Sequence, residues 1–202
     1  MDGALIIDAA VEGIIDEAVA QKLIVGAGGS PGTIYGKTGK AFLYQKIQGF
    51  NNAAKTWPWL VLVDLDNDKE CAPLFCTRWV PDPSPYLCFR VAVREVESWL
   101  MADSETLASF LGISRAIIPK DPEGLVDPKR EMVNLARRSR KEAIRKDMVP
   151  RQGSGRPVGP AYASRMIEYV QNYWRPEVAA RRADSLGRAI ACLRRVIKEV
   201  VA

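Results

Sequence analysis

Three short acidic clusters carry the chemistry that this sequence can offer. In Val11-Glu12-Gly13-Ile14-Ile15-Asp16-Glu17, Glu12 and Asp16 are four positions apart, a spacing that puts both carboxylates within reach of one ion across a helical turn. In Asp64-Leu65-Asp66-Asn67-Asp68, an apolar run leads straight into alternating acids. Alternate residues of an extended segment point the same way, so Asp64, Asp66 and Asp68 are expected to converge. Glu95-Val96-Glu97 is the third cluster, and Glu97 is its stronger candidate, since the apolar Val96 separates it from Glu95 and the two need not both face inward; the plainer reading pairs either acid with Arg94 on the surface. Carboxylates crowded together repel unless a cation neutralises them or some take up protons. Oxygen-only ligands select Mg²⁺, Mn²⁺ or Ca²⁺.

Each cluster has a plainer reading beside it. Acids after a first strand complement a helix N-terminus, and Asp and Asn are common turn residues. An EF-hand loop starting at Asp64 would put Lys69 where glycine is needed and Phe75 where glutamate is needed, so that reading fails. A haloacid-dehalogenase-like phosphatase shares the Asp-x-Asp string but carries a later paired-aspartate motif, and this chain has no Asp-Asp pair.

What the chain lacks narrows the chemistry further. It has no histidine, which removes the commonest general base and every Ser-His-Asp or Cys-His arrangement. Cys71, Cys76, Cys88 and Cys192 form no CxxC pair, so a structural zinc site is not expected. Catalysis would have to rest on carboxylates, Lys, Arg, Tyr, Ser or a hard metal ion.

Positive charge is concentrated downstream. The net charge is +5, with the acidic clusters before Asp127 and a basic excess after it, and residues 129–146 hold eight Lys or Arg against Glu131 and Glu142. Such a segment suits a polyanion, DNA or RNA, as well as it suits a solvated helix packed through Met132, Leu135 and Ile144. The glycine turn Gly153-Ser154-Gly155-Arg156-Pro157-Val158-Gly159-Pro160, with Arg151 before it, allows close approach to a phosphate. It is not a Walker loop, and neither is Gly36-Lys37-Thr38, where Pro31 stands in place of the first glycine. Lys37, Lys40, Arg151, Ser154 and Arg156 are the candidate substrate contacts.

The elements that must position these residues alternate between strand and helix. Residues 4–11 read as a buried strand and 16–25 as a helix with Ala18, Leu23 and Ile24 inward; 26–39, with six glycines, reads as a flexible loop. A helix is expected over 40–54, a strand over 59–63 and another over 87–93. Asp103 or Ser104 is expected to cap a helix ending near Gly112. Beyond Asp127 the pattern is helical, ending in residues 185–201 with Leu186, Ile190, Leu193, Ile197 and Val200 in a stripe that can cover the sheet or support a homodimer. Trp57, Trp59, Trp99 and Trp174 are expected in the core or an interface.

This pattern predicts an α/β fold, a mostly parallel sheet flanked by helices with a C-terminal helical extension. Residues 1–127 would form the α/β domain with the acidic site, and 128–202 the basic extension packed on it. With 202 residues, 48% of them apolar and 26% charged, no apolar run of eighteen and no basic start, the composition predicts a cytoplasmic protein without a membrane segment.

Glu12-Gly13 after the first strand and Asp64-Leu65-Asp66 after a later one resemble the TOPRIM domain of topoisomerases, primases and the overcoming-lysogenisation-defect nucleases. A wider resemblance, to a TOPRIM-like bacterial family of unknown function, rests on Val11-Glu12-Gly13, residues 59–66, residues 91–100 and the glycine turn through Tyr162. The resemblance implies a TOPRIM-like sheet and a Mg²⁺ or Mn²⁺ site of Glu12, Asp16, Asp64, Asp66 and Glu97. It also implies catalytic roles for Glu12, Asp64 and Asp66, and a setting in phage defence with a partner protein encoded nearby. The expectation is a metal-dependent phosphodiester-cleaving, nuclease-like protein. The alternatives are a non-catalytic nucleic-acid-binding or regulatory subunit, or a nucleotide phosphatase.

Overall fold

The computed structural model describes residues 4–66 and 71–201. Its strands are β1 (Ile6–Val11), β2 (Ser30–Gly36), β3 (Trp59–Asp64) and β4 (Leu87–Ala92), and they form one all-parallel sheet in the order β2-β1-β3-β4. The crossovers are α1 (Ile14–Gly26), α2 (Lys40–Ala53) and α3 (Ala72–Trp79). The expected α/β architecture is the one observed. The strand order reverses between β1 and β3, so the crevice beyond their carboxyl ends is the place where a doubly wound sheet holds its ligand.

Alternating side chains build two apolar layers. Ile7, Ala9, Val11, Leu60, Leu62 and Cys88 face α1, while Ala10, Trp59, Val61, Val63, Phe89 and Val91 face α2 and α3. β3 is buried along its whole length, as a central strand covered on both faces must be. A fully buried leucine such as Leu60 stabilises the fold by roughly 1.5–3 kcal/mol.

The glycine-rich segment 26–39 is not a flexible loop. β2 lies within it and pairs in parallel with β1 from Ile6↔Ser30 to Val11↔Gly36, with a bulge midway. Its glycines answer to close approach: a Cβ on Gly32 would fall 2.3 Å from Asp8 Oδ1, and one on Gly36, at φ 92°, 2.2 Å from the Val11 carbonyl oxygen. Helix α3, between the acidic string and β4, is an element the sequence pattern did not suggest.

After β4 come α4 (Val96–Ala102), α5 (Ser104–Leu111), a 3₁₀ turn (Arg115–Ile117), α6 (Pro128–Arg137), α7 (Glu142–Met148), α8 (Tyr162–Asn172), α9 (Pro176–Ala179) and α10 (Asp184–Val201). Asp103 occupies the N-cap position of α5, yet its carboxylate does not cap; it accepts a fork of hydrogen bonds from Arg175 at 2.8 and 2.9 Å. The basic segment is two helices, broken at residues 138–141, where the buried Ser139 hydroxyl donates to the Leu111 carbonyl and accepts from Lys141 N–H.

The C-terminal helices complete the α1 side of the core: α8 packs on α1, α10 on β4, and α6 on α4. Leu186, Ile190 and Leu193 of α10 are buried within the chain, while Ile197 and Val200 at the end of the stripe are partly buried. Trp59, Trp99 and Trp174 are buried, whereas Trp57 is 42% exposed. No described helix is long and apolar enough to cross a membrane.

Candidate active site at the carboxyl edge of the sheet

The acids arrive from the ends of three strands. Glu12 directly follows β1, and its Oε1 accepts the Asp64 backbone N–H at 2.8 Å. Asp64 closes β3, is 8% exposed, and accepts the Val96 N–H at the start of α4 on Oδ1 at 3.0 Å. Glu97, in the first turn of α4, is 1% exposed. Its Oε1 accepts from the Tyr162 hydroxyl at 3.0 Å, and its Oε2 is buried with no hydrogen-bond partner. Asp16 stands in the first turn of α1, also buried. Gly13 is extended, and a Cβ there would sit 3.0 Å from Asp16 Oδ2, so glycine after Glu12 leaves room for the second carboxylate.

These four groups feel one another. Burial raises the Glu12 pKa to about 7 against the opposing Asp64 N–H hydrogen bond and Lys40. Burial, then Glu97 and Glu12, raises Asp16 to about 7. Asp64 is pushed well above the carboxylate range by burial and then by Asp16, Glu97 and Glu12. Glu97 is also raised, by burial first, with Lys129 opposing. Desolvation and mutual repulsion act together on a set of acids whose charges nothing nearby fully neutralises.

A cation already reaches into the cluster from the basic extension. Lys129 of α6 donates its backbone N–H to Glu95 Oε2 at 2.8 Å and its ammonium to Glu95 Oε1 at 3.0 Å, and the same ammonium lies 3.8 Å from Glu97 Oε1. Burial lowers its pKa, but Glu97 and Glu95 outweigh that and raise it. Glu95 thus ties the strand-edge loop to the start of α6. The sequence reading missed both Lys129, one charge in a run of eight, and Tyr162, whose only mark was its place after the glycine turn.

Asp66 departs from expectation. It adopts a left-handed backbone, φ 54°, so the alternation of an extended strand does not carry past Asp64. Its carboxylate turns to the Lys40 ammonium at 2.7 Å, half exposed beside Glu12 rather than among the buried acids. Lys40 also reaches the Leu65 carbonyl and lies 5.3 Å over the Phe75 ring. Asp68 lies outside the described residues. Lys37 pairs with Glu17 at 3.3 Å on the other flank of the Glu12 turn.

The donors suit a hard divalent ion: they are oxygens only, crowded, and include one buried carboxylate oxygen with no partner. Glu12, Asp64 and Glu97 each turn one oxygen toward a protein hydrogen-bond donor, and among the described residues no three acidic side chains stand as a ready ligand set. Glu12, Asp16 and Glu97 are the carboxylates close enough to Asp64 to raise its pKa.

A cleft of mixed charge opens beside this cluster. Glu95 and Asp127 with Lys129, Arg130 and Arg137 line a space of about 450 Å³. Arg137 also borders a second space of about 700 Å³, where Arg145, Lys146 and Arg151 stand against Glu142 and Asp147. Ser154 and Arg156 are exposed on the glycine turn, with the Arg156 N–H donating to Ser154 Oγ at 3.4 Å.

Fold and site together define an α/β protein with a buried acidic cluster at the switch point of a parallel sheet. Comparison with protein-family models, curated proteins and solved structures finds no match for the chain.

Proposed function

We propose that this chain is a TOPRIM-like, divalent-metal-dependent enzyme that cleaves phosphodiester bonds of nucleic acid. The observation that carries the reading is the convergence of Glu12, Asp16, Asp64 and Glu97 at the carboxyl edge of the sheet, with Glu97 Oε2 left unpartnered. Asp64, Glu97 and Asp16 would hold the ion, Mg²⁺ or Mn²⁺, with Glu12 at its edge. Bound there, a divalent ion supplies Lewis acidity toward a phosphoryl oxygen and offsets charge on the leaving group.

The chain's own groups do the rest. Glu12, with one oxygen fixed by the Asp64 N–H and a pKa near 7, takes a proton from the attacking water. Asp66 and Lys40 flank it and orient that water or the phosphate. Tyr162 and Lys129 hold Glu97 in place. Arg130, Arg137 and Arg151 bind the phosphate backbone along the two clefts.

A second reading has one observation in its favour. Lys129 and raised carboxyl pKa values already compensate part of the buried charge, which suits a nucleic-acid-binding subunit without catalysis. Incubating the protein with supercoiled DNA, single-stranded DNA, RNA and free nucleotides, in Mg²⁺, Mn²⁺ or EDTA, separates the two. Metal-dependent, EDTA-sensitive cleavage supports the enzyme. Salt-sensitive binding without cleavage supports the subunit. Hydrolysis of nucleotides alone would point to a phosphatase.

A further inference from the structure

Arg90 sits in the middle of β4, on the face that α10 covers, where its strand neighbours Cys88 and Ala92 belong to the apolar core. A guanidinium in such a place has given up water and needs oxygen partners to recover the loss. Among the described residues no carboxylate or carbonyl accepts from it, and its Nε is buried with no hydrogen-bond partner. The groups beside it are sulfurs, Cys88 and Cys192, the latter held below the usual thiol range by its hydrogen bond with Cys88 and then by Arg90 and Arg195, so the guanidinium has a sulfur partner but no oxygen.

β4 is an edge strand, and Arg90 is only partly buried on it. There it lines a cleft of about 460 Å³ between α3 and α10. Arg195 of α10 borders the same cleft, beside the Cys192 sulfur, and its pairings with the exposed Glu199 at 2.8 Å and the Pro85 carbonyl at 3.5 Å cost little to exchange. Val80, Leu87 and Phe89 form an apolar floor. The cleft therefore joins two forked donors, suited to a planar or tetrahedral oxyanion, to a surface that favours hydrocarbon.

We propose that this cleft binds a small organic oxyanion, its phosphate or carboxylate head between Arg90 and Arg195 and its apolar body on Val80, Leu87 and Phe89. The site is separate from the acidic cluster and does not depend on the reading given to it. The plainer role for Arg90 is to guard a sheet edge, since a charge on an edge strand discourages pairing with another chain.

Phenyl phosphate, benzoate and inorganic phosphate, each titrated into the full chain in EDTA and followed by calorimetry, decide the matter. Saturable binding of phenyl phosphate or benzoate, tighter than that of inorganic phosphate, is expected, and the better of the two identifies the head group. Arg90→Gln and Arg195→Gln should each weaken it by about tenfold or more, the loss of a charged hydrogen bond. Asp64→Asn should leave it unchanged. Arg195 is half exposed, so its variant reports even if Arg90→Gln does not fold. No saturable binding of any probe, or binding that Arg195→Gln leaves intact, overturns the proposal. Aggregation of Arg90→Gln while Arg195→Gln binds like wild type assigns Arg90 to edge protection instead.

Discussion

Glu12 Oε1 accepts the backbone N–H of Asp64 at 2.8 Å, a bond that crosses from the end of β1 to the last residue of β3. It pins one oxygen of a half-buried carboxylate whose proton affinity lies near neutrality, and it does so with a donor that a glutamine carbonyl satisfies equally well.

Glu12→Gln should therefore keep the fold and remove the basic carboxylate. If the protein is the proposed nuclease, cleavage falls by about 10²- to 10⁴-fold, the usual contribution of a general acid or base. The melting temperature, measured on the same sample, should hold or rise, because a desolvated acid has been replaced by an amide. Normal turnover with a lowered melting temperature would remove Glu12 from the mechanism.

Asp64→Asn and Asp66→Asn should behave differently. Asn at 64 can still accept the Val96 N–H on Oδ1, yet it removes an acid that burial and its neighbours force to hold its proton at a cost to the fold. Its apo form should melt higher and its Mn²⁺ affinity, by calorimetry, should fall steeply. Asp66 is half exposed and paired with Lys40, so its amide variant should change melting little and weaken the ion only modestly. Equal metal affinity in Asp64→Asn and wild type would rule out this cluster as the ion's seat.

The parts of the molecule that were legible in the sequence are those where one local pattern decides the outcome. The run Trp59-Leu60-Val61-Leu62-Val63 can only be a strand buried on both faces, and an acid following it must stand at the strand's end, as Asp64 does. Glu12 and Asp16 were legible for the same reason, a strand ending before a helix begins. β2 was not, because Gly32 and Gly36 signal a loop unless the proximity of Asp8 and of the Val11 carbonyl is known, and that proximity is tertiary. Asp66 was misplaced by extending a strand's alternation through a residue that turns left-handed. Lys129 and Tyr162 reach Glu97 from 32 and 65 residues away, where spacing says nothing.

The raised acids make stability depend on pH in an unusual direction. Glu12 and Asp16 bind their protons more tightly in the folded chain, at about pH 7, than ordinary carboxyls do. Between about pH 4, where unfolded carboxyls ionise, and pH 7 the native state holds more protons than the unfolded one, so stability falls as pH rises. In EDTA the melting temperature should be highest in mild acid and decline toward neutrality, by about 2–4 °C for each kcal/mol lost in a chain of this size. Saturating Mn²⁺ above pH 7 should reverse the decline. A flat profile over this window, in wild type and Asp64→Asn alike, would mean that the acids are not desolvated together.

The position of Arg137 makes a sharper test of nucleic-acid binding than total charge does. Arg137 borders both clefts, and Arg151 borders the second, whereas Arg138 and Arg140 are exposed and line neither. All four carry one positive charge, so a protein that merely attracts polyanions through its overall field should respond alike to reversal of either pair. A strand lying in the clefts distinguishes them, because each neutralised phosphate adds about 0.7–0.9 to the slope of log affinity against log salt. Arg137→Glu with Arg151→Glu should weaken binding of single-stranded DNA or RNA and flatten that slope by more than one unit. Arg138→Glu with Arg140→Glu should shift affinity slightly and leave the slope close to wild type. Fluorescence anisotropy across a salt series on the three proteins gives the answer, and equal losses for the two pairs would move the nucleic acid out of the clefts.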